Sequence, residues 1–183
     1  PNSEANNGGI PKAIQELMLI APFNDLETTT AIIDAHHDEL GGVIVEPLQR
    51  ALVPQPGFLK GLREVTAHYG IPLIFDEVVT GFRLAYGGAQ EFYGVVPDMC
   101  TVGKIMGGGY PCAALVGQAE FMSVYDKSSA DPDSFVSQVG TLNGNPIASA
   151  AGLATLAEMR KEGAYQRLVE EGGRLCQAIK DIS

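Results

Sequence analysis

Short apolar runs alternate along the chain with longer segments whose apolar residues recur every three or four positions. That alternation predicts an α/β domain built on a mostly parallel sheet flanked by helices. Leu17-Met18-Leu19-Ile20 reads as a first strand. Asn24 or Asp25 can cap a helix running to about Leu40, where Gly41-Gly42 stops it. Gly42-Val43-Ile44-Val45-Glu46 follows as a second strand, ended by Pro47. A helix over 57–69 puts Phe58, Leu59, Leu62 and Val65 on one face and closes at Gly70. Residues 71–75 make a third strand, its apolar run fitting burial on both faces. Two more strands are expected at 99–102 and 113–116, separated by the Gly-rich stretch 103–109. Residues 123–140 are polar and rich in Gly, Ser and Asp, an exposed loop. Helical patterns then cover 145–161 and 164–182, so a domain boundary or long connecting helix is expected near 145–165.

Composition narrows the function. A chain of 183 residues can bury a sizeable core in one domain, with room for the start of a second. With 22 acidic against 12 basic side chains the net charge is −10, which argues against nucleic acid or an anionic membrane surface as partner. At 45% hydrophobic the sequence is too apolar for disorder, yet its longest apolar runs fall far short of a membrane span. No basic-then-apolar segment opens it, so export is not expected. Cys100, Cys112 and Cys176 are odd in number and lack C-x-x-C spacing, which favours a reducing compartment, the cytoplasm, over a disulfide framework or a zinc site. Pro1 at the start and an unfinished helical pattern at the end are what a piece of a longer protein would show.

Two acidic strand ends carry the candidate chemistry. Glu46 follows Val43-Ile44-Val45, and Asp76-Glu77 follow Leu73-Ile74-Phe75. Ligands of open parallel sheets bind outside the carboxyl ends of the strands, so such carboxylates face the site; a solvated loop acid is the plainer alternative. Lys104 lies just past another strand, between Gly103 and Ile105, where partial desolvation is expected. A phosphate-binding P-loop fails on spacing, because Ile105 follows the lysine where Ser or Thr is needed. At an ordinary pKa only roughly 0.04% of a lysine is neutral at pH 7, so a nucleophilic lysine needs burial or imine formation. An Asp and a Lys at strand ends match what pyridoxal phosphate requires, a lysine to hold it and an acid to keep its ring nitrogen protonated. His36-His37-Asp38-Glu39 resembles a metal cluster, but adjacent helical residues point apart, and a solvated helix end accounts for it better. His68 near a helix end is assigned no catalysis. Asn145-Pro146 reads as a helix cap whose N–H groups could also hold an anion.

The segment Phe75-Asp76-Glu77-Val78-Val79-Thr80-Gly81-Phe82-Arg83 resembles the strand-end motif of class III aminotransferases, fold-type I enzymes that use pyridoxal 5'-phosphate. Val45-Glu46-Pro47, Pro97-Asp98, Gly103-Lys104 with Gly107-Gly108-Gly109, and Gly140-Thr141-Leu142-Asn143-Gly144-Asn145-Pro146 fall in that family's order. The run from Gly81 to Gln90 is most similar to the glutamate-1-semialdehyde aminomutase branch. The resemblance implies transfer of an amino group between an amino compound and a carbonyl compound, by an aminotransferase or an aminomutase, through a Lys104 Schiff base. It implies that Asp76 pairs with the pyridinium nitrogen, that Val78 packs on the ring, and that Thr141 reaches the phosphate of a partner's cofactor across a homodimer interface. Glu46 and Glu77 take supporting roles, Glu77 by orienting the Asp76 loop. By the same resemblance, Val79 stands where many members have Gln, and the aminomutase branch often has an apolar residue there. By the same resemblance residues 1–145 are part of the cofactor-binding large domain, and 146–183 the connecting helix and start of the small domain. The family's amino-terminal part is absent, and residues 3–7 are the tail of a connecting loop. A decarboxylase or racemase of the same fold, a non-catalytic α/β phosphate-binding fragment, and a dimerisation scaffold are the alternatives.

Overall fold

The computed structural model describes residues 8–128 and 130–182, so the loop assignment at 3–7 lies outside the described residues. Four strands, β1 (Val43–Val45), β2 (Leu73–Glu77), β3 (Met99–Val102) and β4 (Ala114–Gly117), form one sheet in sequence order. The first two pairings are parallel and the third is antiparallel. The reversal follows from chain length. A parallel return needs a crossover of a dozen or more residues, usually helical, and 103–113 is a short Gly-rich turn.

Helices α1 (Lys12–Gln15), α2 (Leu26–His36) and α3 (Phe58–Tyr69) surround this frame, with α4 (Gly88–Tyr93) between β2 and β3 and α5 (Ala119–Met122) after β4. Two long helices, α6 (Pro146–Met159) and α7 (Ala164–Ile182), finish the chain. Asp25 caps α2 by accepting from Thr28 N at 2.9 Å, and the Thr28 hydroxyl, with that backbone bond behind it, holds its carboxyl below the usual range. Gly70 ends α3 at φ 67°, as a left-handed C-cap requires. The core joins Phe58, Leu59 and Leu62 of α3 to Leu73 and Phe75 of β2, Cys100 and Val102 of β3, and Val95. Asp98 ties the lower edge together: Oδ2 accepts from Arg63 Nη1 and Leu73 N, both at 2.7 Å, and Oδ1 from Gln118 Nε2 at 3.0 Å.

Several expectations are corrected. Residues 17–20 form no strand: after α1 they run past β1 unpaired, with Leu17 78% exposed. A run of four apolar residues does not by itself supply the neighbouring backbone a strand needs. Helix α2 stops at His36, short of Leu40, because residues 37–39 turn. Strand β2 extends to Glu77, so Asp76 and Glu77 are its last two residues and do not lie beyond it. Its burial alternates, with Ile74 and Asp76 only half-buried, so β2 is not covered equally on both faces. Helices α4 and α5 are additional to the expected elements; each is only a turn or so long and too short to show a period.

Candidate active site

Alternation along β2 gives its two terminal acids opposite jobs. Leu73, Phe75 and Glu77 turn inward, and Ile74 and Asp76 lie on the other face. Glu77 is only 1% exposed. Its Oε2 accepts from Ala89 N at 2.5 Å and from Thr80 Oγ1 at 3.0 Å, and its Oε1 from Gln90 Nε2 at 3.0 Å. The carboxylate thus sits at the amino end of α4, where backbone N–H groups lack helical partners and negative charge is favoured. Gly88 makes the approach possible: a Cβ there would lie 2.3 Å from Glu77 Oε2, and its φ of 71° is left-handed. Beside this group the Cys100 thiol accepts from Gln90 Nε2 at 3.3 Å, and burial pushes that thiol up.

Asp76 is presented on the half-buried face. Its Oδ1 accepts from Thr101 Oγ1 at 3.0 Å and from Val78 N at 3.1 Å. Thr101 is the parallel β3 partner of Asp76, so ladder register alone brings the hydroxyl to the carboxylate. No hydrogen bond reaches Asp76 Oδ2 from the described residues. Sequence reasoning missed Thr101; its signal was a polar residue inside the apolar run Met99-Cys100-Thr101-Val102.

Lys104 starts a 3₁₀ turn (Lys104–Gly107) directly after β3. Its φ is 48°, a left-handed conformation that costs a non-glycine residue on the order of 1–3 kcal/mol unless the surroundings hold it. They do, through α6. A Cβ on Gly152 would lie 2.9 Å from Met106 O, and one on Gly108 would lie 2.3 Å from Thr155 Oγ1. Small residues on α6 let the turn seat against the helix backbone. The Lys104 side chain itself is exposed, which corrects the expected desolvation: its glycine neighbours have no side chains to cover it. It makes no ion pair or hydrogen bond among the described residues. Val78 lies beside the turn, its Cγ1 3.7 Å from the Cβ position of Gly103.

Asp76, Val78 and Lys104 are thus gathered at adjoining strand ends. Glu46 and Asp76 both line a cavity of about 580 Å³ bounded by residues 17–23, α2 and β1; Lys104 does not. Thr141 is exposed on a turn before α6, and no hydrogen bond links it to the other candidates among the described residues. Next to it Asn145 Oδ1 accepts from Ile147 N at 3.0 Å and Ala148 N at 3.1 Å, which makes this residue the α6 cap. The histidines stand apart from the site. His36 bonds Glu39, and His37 stacks on Tyr69 at 4.5 Å.

Residues 2–183 match the family model for aminotransferase class-III. Over 176 residues the chain is 47% identical to glutamate-1-semialdehyde 2,1-aminomutase 2 of Brevibacillus brevis, covering 94% of this chain and 40% of that protein. Among solved structures it is similar to an omega-transaminase from Sphaerobacter thermophilus, with a TM-score of 0.89 and 40% identity over 97% of this chain and 40% of the other. A beta-phenylalanine aminotransferase from Variovorax paradoxus gives a TM-score of 0.77 and 38% identity over 86% of this chain and 36% of the other. The chain therefore spans about two fifths of the length of these relatives. It belongs to the class III aminotransferases, a family of pyridoxal-phosphate-dependent enzymes.

Proposed function

We propose that the whole protein transfers an amino group between an amino compound and a carbonyl compound, with pyridoxal 5'-phosphate held by Asp76 and Lys104. The observation that carries this is the state of the Asp76 carboxylate: one oxygen is fixed by Thr101 and Val78, and the other takes no donor from the described residues. A carboxylate oriented in this way fits the N–H of a pyridinium ring, and Lys104 supplies an amine just past the neighbouring strand. When bound, the cofactor supplies a carbonyl that condenses with amines and a ring that accepts electrons.

The remaining work falls to the chain's own side chains. Asp76 would hold the ring nitrogen of the cofactor in its protonated form by ion pairing. The Lys104 amine would anchor the cofactor and, when free, would move a proton as a general base. Val78 covers one ring face. Glu77 secures Asp76 from below by holding α4 and Thr80, and Glu46 borders the Asp76 side of the cavity. Thr141 donates to the cofactor phosphate of a partner protomer in a homodimer, a role consistent with its exposed turn. The three cysteines form no disulfide, in keeping with a cytoplasmic location. No helix among the described residues is long and apolar enough to cross a membrane. The 47% identity to an aminomutase favours a second reading, in which nitrogen returns to a neighbouring carbon of the same molecule.

The test is an absorbance spectrum of the full-length protein with pyridoxal phosphate, followed by borohydride reduction and peptide mapping. The expected result is a visible band and a reduced adduct on Lys104 alone, lost in Lys104→Ala. No band, or adducts scattered over surface lysines, overturns the reading. Turnover without any external carbonyl acceptor would select the aminomutase.

A further inference from the structure

The turn after the Asp76 strand end is gripped by side chains distant in sequence. Phe82 sits at φ 58°, a left-handed conformation that a residue with a bulky side chain keeps only when held. Its carbonyl accepts a hydrogen bond from the Tyr165 hydroxyl at 3.0 Å, in the first turn of α7. Its ring meets that of Tyr86 edge-on, with centroids 5.6 Å apart. Tyr86 in turn is held by Arg160, the residue that caps the carboxyl end of α6: Arg160 Nη2 donates to the Tyr86 hydroxyl at 2.7 Å, and the guanidinium lies 4.9 Å from the ring centroid. Inward, the same turn is tied to β2, with Gly81 N donating to Glu77 O at 2.8 Å and Thr80 Oγ1 to the Glu77 carboxylate.

Helix α6 is common to both halves of the site. Ala151, Gly152 and Thr155 seat the Lys104 turn, and Arg160, about 12 Å further along the helix from Gly152, grips Tyr86. We propose that Tyr165 and Arg160 are positioning residues: from the α6–α7 junction they latch the Phe82–Tyr86 turn and so fix the Asp76 strand end relative to Lys104. The mechanical part stands on these contacts; its consequence for the cofactor rests on the function proposed above.

The experiment uses the full-length protein with Tyr165→Phe, Tyr86→Phe and the double variant, each of which removes a hydroxyl and keeps the ring. Amide hydrogen exchange over residues 80–88 is expected to quicken roughly 2- to 12-fold in each single variant, and further in the double. Exchange in α3 and β3 stays at the wild-type rate, which shows that the variants are folded. Pyridoxal phosphate is expected to bind more weakly by a similar factor. Unchanged exchange over 80–88 in the double variant overturns the latch. Faster exchange with unchanged cofactor affinity overturns the positioning role. A wild-type protein that holds no cofactor overturns the amino-transfer reading and the positioning role with it; exchange then decides the latch alone.

Discussion

Replacing Glu77 by Gln keeps its shape, removes its charge and exchanges one oxygen for an NH₂ group. The surrounding groups leave little room for that exchange. An NH₂ in place of Oε2 would face Ala89 N–H, a backbone donor that cannot turn, across a 2.5 Å contact. An NH₂ in place of Oε1 would face Gln90 Nε2, which can turn its amide only by giving up its bond to the Cys100 sulfur. The second arrangement is the cheaper. It costs the bond from Gln90 Nε2 to a charged acceptor, about 1.5–3 kcal/mol, together with the long 3.4 Å bond from Gln90 N, and weakens those from Ala89 N and Thr80 Oγ1 to neutral strength. The lower cost of burying a neutral amide offsets part of this. The net loss is about 2–4 kcal/mol, concentrated where Glu77 caps α4. Native-state hydrogen exchange of the Ala89 and Gln90 amides in the full-length protein measures it, because local opening is read residue by residue. Protection should fall roughly 30- to 900-fold. A fall of less than about fivefold, near 1 kcal/mol, would show that Glu77 is not the structural anchor described and would reopen a chemical role for it.

Two further predictions rest on the same region. Gly88→Ala combines a left-handed φ of 71° with a Cβ 2.3 Å from Glu77 Oε2, so it should destabilise by about 3 kcal/mol or more; a variant melting at the wild-type temperature would contradict this. Alkylation mapped by mass spectrometry should modify exposed Cys176 first, then Cys112, with Cys100 last. Burial is the largest cause raising the Cys100 thiol, so near pH 8 less of it is thiolate than of an ordinary cysteine, and its labelling should gain as pH rises; early labelling of Cys100 would refute the burial.

How much of this was legible depended on whether one segment contained its own cause. The bounds of helix α3 are read correctly because Phe58, Leu59, Leu62 and its terminal Gly70 all lie within thirteen residues, though the inward position after Leu62 is taken by Thr66 and the expected Val65 is only half-buried. Strands β1, β2 and β3 are equally local, to within two residues. Residues 17–20 carry the same apolar signal and form no strand, because a strand is completed by its neighbour's backbone, and no such neighbour is named in four residues. The antiparallel sense of β4 was readable in principle, since the link 103–113 is too short for a crossover, but it required counting the connection and not inspecting the strand.

Site chemistry divides along the same line. Asp76 and Lys104 stood out through position, each at the carboxyl end of a strand. Telling Asp76 from Glu77 needed only the strand's two-residue period once β2 was seen to include both: the residue in step with Leu73 and Phe75 must turn inward, and Glu77 does. Lys104 reverses the usual logic. Apolar and glycine neighbours in sequence raised the expectation of a covered amine, but glycines bury nothing; they let the Lys104 turn press its backbone onto α6 at Gly152 and Thr155. Thr101 needed the β2–β3 register, and the grip of Tyr165 and Arg160 on Phe82 and Tyr86 spans 83 and 74 residues. What holds Asp76 and Lys104 in place is therefore mostly non-local, while the signals that single out these two candidates are mostly local. A sequence motif here names the candidates for the proposed chemistry, and only the folded chain shows what positions them.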